Sequence, residues 1–192
     1  MYHRATGLKV DVVPCGGIES PAGTLALRGS ERRLNTTGLT ECLLMGTPLE
    51  GSGRVVLPPP SGFVLLKLLA FQDRREPRDL GDLGHVVHRF PHAERTIWDD
   101  TAFMSALTSG TLTYEDFQFW CVGRDLASRF EPPTVAAFTR ALDVLRADVP
   151  HVRSRVDDGH PHPPDREGRL ERADRLLAVL RMAVEMPGAA PY

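Results

Sequence analysis

The feature that most constrains the fold is an apolar run from Phe63 to Phe71 with a single lysine, Lys67, inside it. A helix that is apolar nearly all round is buried in a protein core. A buried ammonium group needs a carboxylate or phosphate partner, because an unpaired buried charge is very costly. The run therefore predicts a core helix whose lysine either binds an anion or reaches the surface along its aliphatic stem.

A dense group of charged residues comes directly after this helix and opens the next one. Arg74 and Arg78 are candidates for phosphate binding, because arginine contacts phosphate through two parallel hydrogen bonds. Asp79 and Asp82 lie one turn apart just after Pro77, at a predicted helix start where negative charge is stabilised. The local pattern favours another interpretation, a structural network of ion pairs that joins the two helices.

An aspartate also lies in a predicted strand near the start of the sequence. Residues 8–13 alternate, with Lys9, Asp11 and Val13 on one face, and Pro14 ends the strand. A carboxylate on an inner strand binds Mg²⁺ or acts as a base, whereas an exposed strand aspartate is the commoner explanation of this pattern. Two-metal phosphoryl chemistry needs several converging carboxylates, and no second predicted strand supplies an Asp-x-Asp.

The composition is that of an ordinary globular protein of about one domain. The chain has 192 residues, a net charge of −2 and 25% charged residues, so its charge does not indicate a nucleic-acid or membrane partner. Its longest apolar run, residues 63–71, is too short to span a bilayer. Cys15, Cys42 and Cys121 are scattered and lack Cys-x-x-Cys spacing, which indicates free thiols in a reducing cytoplasm.

We predict an α+β fold in four parts. Residues 1–60 form a β-rich core, and residues 61–148 form a helical part packed on it. Residues 149–168 are rich in proline, histidine and charge and are predicted to be a linker. Residues 169–192 contain an amphipathic helix whose leucines recur at helical spacing.

Local signals place several boundaries within these parts. The sequence predicts a strand over residues 24–27, a short helix near residues 39–44 and a hairpin over residues 47–57. Helix starts are predicted at Ser61, Pro77, Thr113 and Pro132.

Four motifs follow one another along the chain. Residues 11–19 read Asp-Val-Val-Pro-Cys-Gly-Gly-Ile-Glu, and residues 67–74 fit Lys-x-x-Ala-x-x-Asp-Arg. Residues 78–83 fit Arg-Asp-x-x-Asp-Leu, and residues 123–127 read Gly-Arg-Asp-Leu-Ala. In this order the motifs resemble those of bacterial predicted nucleotidyltransferases, a group that includes the AbiEii-type toxins of toxin–antitoxin systems.

The resemblance implies a nucleotidyltransferase fold, in which helices pack on a small mixed sheet that bears carboxylates. It implies Mg²⁺-dependent transfer of a nucleoside monophosphate from an NTP to an acceptor hydroxyl, on RNA or protein. By this match Asp11 is the third carboxylate of the metal site and is catalytic together with Lys67. The match assigns nucleotide binding to Lys67, Arg74, Arg78, Asp79 and Asp82.

The resemblance has a gap at its start. The family begins with a Gly-Ser turn and a strand bearing Asp-x-Asp, the principal Mg²⁺ ligands, and the printed sequence starts after that point. We therefore expect a truncated protein with an incomplete sheet, weak metal binding and slow transfer. The alternative is a non-catalytic relative that binds a protein partner, such as a cognate antitoxin, through its C-terminal amphipathic helix.

Overall fold

The computed structural model describes residues 13–20, 22–27, 29, 31, 33–51, 55–89, 97–148, 150–158, 160 and 165–186. Within these ranges the chain folds as an α+β protein that is mostly helical and has two small antiparallel sheets, which confirms the predicted fold class. The two sheets are separate, so the described residues do not form the single mixed sheet that was expected. Of the strand predicted over residues 8–13, which carries Asp11, Val13 alone lies within the described residues, and it is not part of a strand.

Two hairpins make up the β structure. Strand β1 (Thr24–Ala26) pairs with β2 (Arg33–Asn35), and β3 (Thr47–Pro48) pairs with β4 (Val56–Leu57). The first strand and the second hairpin agree with the sequence prediction, whereas β2 was not predicted. Each hairpin has only two strands, so it depends on packing against a helix for its stability.

Eight helices complete the described structure. They are α1 (Leu39–Leu44), α2 (Pro60–Arg74), α3 (Pro77–Val87), α4 (Thr101–Thr108), α5 (Phe117–Arg129), α6 (Pro132–Arg146), α7 (Pro150–Arg153) and α8 (Arg166–Glu185). Three 3₁₀ turns accompany them, at Ile97–Asp99, Tyr114–Asp116 and Ser154–Asp157.

The core lies between helices α2, α3, α5, α6 and α8. Each contributes fully buried side chains, among them Leu68 on α2, Leu83 on α3, Trp120 on α5, Leu142 on α6 and Leu177 on α8. Trp120 is anchored further, because its Nε1 donates to Asp100 Oδ2 at 2.9 Å. The apolar helix around Lys67 is therefore a core helix, as its composition predicts.

The first hairpin and α1 rest on this helical core through Gly38. This residue has φ of 80°, a conformation that favours glycine, and it is the N-cap of α1. A Cβ at this position would lie 2.5 Å from Cδ2 of Leu65 on α2. The backbone is therefore so close to α2 that any larger residue at position 38 would force Leu65 to move.

Several predicted helix starts are confirmed and one is wrong. Pro77 and Pro132 open α3 and α6, and Thr113 forms a capping box with Asp116 just before α5. Ser61 is not an N-cap, because α2 begins at Pro60. The Ser61 hydroxyl instead donates to Asp125 Oδ2 at 2.5 Å inside the core.

The segment predicted to be a linker is partly helical and packed. Residues 150–157 form α7 and a 3₁₀ turn, in which Val156 and Asp157 are fully buried. Ion pairs explain why so polar a segment is held in place. Arg153 binds Asp174, and Asp158 binds both Arg155 and Arg169.

The C-terminal helix α8 packs into the core of this same chain. Its apolar residues Ala173, Leu177 and Leu180 are fully buried, and its contact with α5 is close. A Cβ on Gly123 of α5 would lie 2.6 Å from Cβ of Ala183. This stripe is therefore covered within the chain itself, and its predicted role in binding a partner has no support from its exposure.

None of the helices in the described ranges combines the length and the apolar composition that crossing a bilayer requires.

Candidate functional site

The predicted site residues on α2 and α3 meet in one cluster. Lys67 Nζ lies 2.6 Å from Asp82 Oδ2 and 3.4 Å from Asp79 Oδ1. Its amine also lies 5.4 Å from the ring centroid of Phe63, one turn earlier on α2. Lys67 thus keeps its stem within the helical layer and holds its charge between two carboxylates, with the side chain 23% exposed.

Arg74 completes the cluster by binding Asp79 from the other side. Its Nε lies 2.7 Å from Asp79 Oδ2, and its Nη2 lies 2.5 Å from Asp79 Oδ1. This two-bond geometry is the strongest arrangement for an arginine and a carboxylate. Asp79 is only 1% exposed, so its charge is neutralised by Lys67 and Arg74 rather than by water.

The sequence explains why these side chains converge. Lys67 and Arg74 are seven residues apart and lie on the same face of α2. Asp79 and Asp82 are three residues apart on α3, which begins almost immediately after α2 ends. The αL conformation of Arg75, with φ of 58°, reverses the chain between the two helices.

Two other predicted site residues, Arg78 and Asp11, are not seen in this cluster. Arg78 is exposed on the first turn of α3, and no contact ties it to Lys67 or Arg74. Asp11 lies outside the described residues, so its predicted role as a metal ligand stays a prediction.

The described residues do not fit a magnesium site. No three His, Cys, Asp or Glu side chains among them are arranged to hold a metal ion. Asp79 and Asp82 already neutralise Lys67 and Arg74, which leaves little negative charge for a cation. The Mg²⁺ expected from the resemblance stays a prediction.

The Gly123-Arg124-Asp125 motif on α5 has a structural role. Asp125 accepts from Ser61 Oγ and from Arg129 Nε, each at 2.5 Å. Burial raises the pKa of Asp125, although these two donors oppose the increase. Arg124 donates through Nη1 to the Met186 carbonyl at 2.6 Å, and its burial lowers the pKa of its guanidinium. This motif joins α5 to α2 and to the end of α8.

The buried carboxylate of Asp157 lies near one histidine and one arginine. His88 Nε2 lies 3.6 Å from Asp157 Oδ1, and Arg172 Nε lies 3.0 Å from the same oxygen. The ring of His160 packs edge-on against His88, with 5.3 Å between the centroids. His160 lies in the segment predicted to be a linker, and the ring that it packs against, His88, is the C-cap of α3, far earlier in the sequence.

An apolar groove lies between α5, α6 and the end of α8. It has a volume of about 880 Å³ and is open to solvent. Its floor is apolar, with Phe130, Val135 and Val184, and its rim carries Asp143 and Arg181. None of the predicted site residues lines it.

Comparison of the chain with models of known protein families, with characterised proteins and with solved structures finds no match.

Proposed function

We propose that this protein is a relative of the nucleotidyltransferases that transfers a nucleoside monophosphate from an NTP to an acceptor hydroxyl. The observation that carries the proposal is the Lys67 cluster. Lys67, Arg74, Asp79 and Asp82, which the four-motif resemblance links to nucleotide binding, are neighbours in space. The ammonium of Lys67 is partly exposed, with 23% of the side chain accessible, so it can reach a phosphate oxygen of a triphosphate.

In this proposal Lys67 provides a positioned positive charge and Asp79 and Asp82 hold it. A triphosphate would take the ammonium from Asp82, the more exposed of the two carboxylates, while Asp79 stays bound to Arg74. Metal-dependent activation of the acceptor would need Asp11 and further carboxylates, so we derive no step through Mg²⁺.

The first test uses the fact that Lys9 and Lys67 are the only lysines in the sequence. An ATP analogue that acylates lysines near its phosphates, followed by peptide mass spectrometry, reports each lysine separately. We expect labelling of Lys67 that excess unmodified ATP suppresses. Labelling that excess ATP leaves unchanged would contradict nucleotide binding at the cluster.

The second test measures ATP affinity by calorimetry in Lys67→Met and in a matched control, Arg181→Met. Arg181 is also 23% exposed and is also paired with two carboxylates, Asp143 and Glu185. We expect Lys67→Met to weaken ATP binding by about tenfold or more, as loss of one charge-assisted contact predicts, and Arg181→Met to leave it unchanged. Equal affinities in all three proteins would show that the cluster only joins two helices.

A transfer assay then tests the activity itself. The protein is incubated with NTPs labelled at the α-phosphate, with MgCl₂ and with total RNA or protein as the acceptor. Label that enters either acceptor, and that Lys67→Met abolishes, would support transfer. ATP binding without any incorporation would limit the proposal to nucleotide binding.

Protein binding is a second candidate function, because large apolar side chains are exposed near the second hairpin. They are Leu43, Leu44, Leu49, Val55 and Leu57, and Leu44 is 82% exposed. Exposed apolar side chains that lie together mark interaction surfaces. A non-catalytic relative would use them to bind a partner such as a cognate antitoxin. Loss of a co-purifying partner in Leu44→Glu, with unchanged stability, would favour this function.

A further inference from the structure

A polar cleft lies between the first hairpin, α2 and α6. It has a volume of about 350 Å³, within the range of small-molecule sites. Its wall carries two guanidinium groups, Arg33 on β2 and Arg140 on α6, and one carboxylate, Asp73 on α2. Asp73 comes six residues after Lys67 and therefore lies on a different face of α2 from the ion-pair cluster.

The charged groups of this cleft are not paired with one another. Among the described residues, Arg33 donates only to the Ser20 carbonyl, at 3.3 Å, and Arg140 has no carboxylate within ion-pair distance. Asp73 accepts one long hydrogen bond, from the backbone N–H of Asn35 at 3.3 Å. Opposite charges that share a cleft usually bind each other directly. Here each is held apart on its own structural element.

Asp73 is exposed to solvent and has few partners within the protein. The partial burial of its carboxyl group still raises its pKa, and the Asn35 N–H opposes this increase. The carboxylate therefore has capacity to accept further hydrogen bonds. Beside it, the Asn35 side chain uses its Oδ1 to accept from the Thr37 N–H at 3.0 Å, which leaves its amide group as a donor.

We propose that this cleft binds a small phosphorylated sugar, with the phosphate between Arg33 and Arg140 and vicinal hydroxyls on Asp73. Two guanidinium groups match a phosphate dianion, and a carboxylate matches a pair of hydroxyl donors. A sugar phosphate carries both kinds of group on one small molecule, and the lining of this cleft offers a partner for each. This site does not rest on the function proposed for the Lys67 cluster.

The test titrates the protein with ribose 5-phosphate, inorganic phosphate and ribose at low ionic strength, by calorimetry. We expect ribose 5-phosphate to bind most tightly. Arg140→Gln should weaken it by about tenfold or more, the cost of one charge-assisted contact. The matched control is Arg146→Gln, on the exposed side of the same helix α6, and it should bind as the wild type does. Asp73→Asn should weaken the binding of ribose 5-phosphate and leave the affinity for inorganic phosphate unchanged.

Three results would overturn the proposal. One is the absence of binding by every probe up to about 10 mM, the limit of useful affinity. Another is an equal effect of Arg140→Gln and Arg146→Gln, which would indicate non-specific attraction of anions. The third is loss of binding in Lys67→Met but not in Arg140→Gln, which would place the ligand at the ion-pair cluster. Arg140 and Arg146 are both exposed, so we expect the two glutamine variants to unfold at the same temperature as the wild type, which verifies that they fold.

Discussion

Lys67 and Asp79 belong to consecutive helices, and their side chains meet with 3.4 Å between Nζ and Oδ1. Asp79 is almost fully buried and also binds Arg74 through two hydrogen bonds, whereas Asp82 is 31% exposed and has Lys67 as its single ion-pair partner among the described residues. The two carboxylates of the cluster thus differ in what they do for the fold. Asp79 joins α2 to α3, and Asp82 positions the lysine.

This difference predicts unequal costs of removing the two carboxylates. Asp79→Ala should lower the free energy of unfolding by about 2–3 kcal/mol, because it leaves two cations without their shared buried partner. Asp82→Ala should cost less than about 1 kcal/mol, as partly exposed ion pairs do. Urea unfolding of both variants measures this. Equal losses would mean that Asp79 does not join the helices.

The contact between α3 and the segment before α8 predicts the effects of two glycine substitutions. A Cβ on Gly84 would lie 2.4 Å from the Val156 carbonyl oxygen, a backbone atom that cannot move alone. Gly84→Ala should therefore cost about 2–3 kcal/mol of unfolding free energy despite the better helix propensity of alanine. Thermal and urea unfolding give the value.

Gly81→Ala on the same helix is the control for this prediction. Its Cβ would lie 2.9 Å from Asp158 Oδ2, a side-chain atom that can shift with less disturbance than a backbone atom. We expect it to stay within about 1 kcal/mol of the wild type, since the gain in propensity offsets the adjustment. If Gly84→Ala were as stable as Gly81→Ala, residues 154–158 would not pack on α3 in solution.

The buried carboxylate of Asp125 predicts a pH dependence of stability. Its pKa is raised in the folded state, so the folded protein holds this proton more tightly than the unfolded chain does. Its contribution to stability is therefore largest at low pH. It falls as the pH rises from the usual aspartate pKa of about 3.9 to the higher folded value, and stays constant above it.

Asp125→Asn removes this titration. The difference in unfolding free energy between the wild type and the variant should decrease with rising pH across that window and be flat at neutral pH. Urea unfolding at a series of pH values measures the difference. A difference that increases with pH would mean that Ser61 and Arg129 outweigh burial and lower the pKa of Asp125.

The three cysteines predict a selective thiol reaction. Burial raises the pKa of Cys42 to about 12, and Cys121 is also buried, whereas Cys15 is partly exposed. The thiolate is the reactive form, so Cys42 should be inert in the folded protein. We expect a chromogenic disulfide reagent at pH 8 to react quickly with one thiol, and with all three after denaturation. Cys15→Ser should abolish the fast reaction, and a fast second thiol would contradict the burial of Cys42 or Cys121.

Local chemistry made several elements predictable from the sequence. Pro77, Pro132 and Thr113 act on the first turn of their own helices, so their signals need no distant partner. Ser61 carries the same kind of signal and was misassigned. Its hydroxyl binds Asp125, which is 64 residues further along the chain. Strand β2 was missed for a related reason, because three residues become a strand only by pairing with β1.

The candidate site was predictable in part. Lys67, Arg74, Asp79 and Asp82 lie at helical spacings on two adjoining helices, so the sequence brings them near one another. Their nucleotide-binding role stays a prediction. The cleft between Arg33, Asp73 and Arg140 was not predictable, although Asp73 lies in the motif of residues 67–74, because its three charges come from three elements that meet only in the folded chain.

The sequence by itself determined the α+β class, the apolar helix around Lys67 and the charged turn that follows it. These depend on periodicity and on residues close in the chain. Only the tertiary structure decided that residues 150–157 pack against the helical core and that the apolar stripe of α8 faces the same core. The physical reason is that a polar or amphipathic segment has no fixed place until its partners are present. Arg172 compensates the charge of the buried Asp157, and Gly123 leaves room for the close approach of α8 to α5.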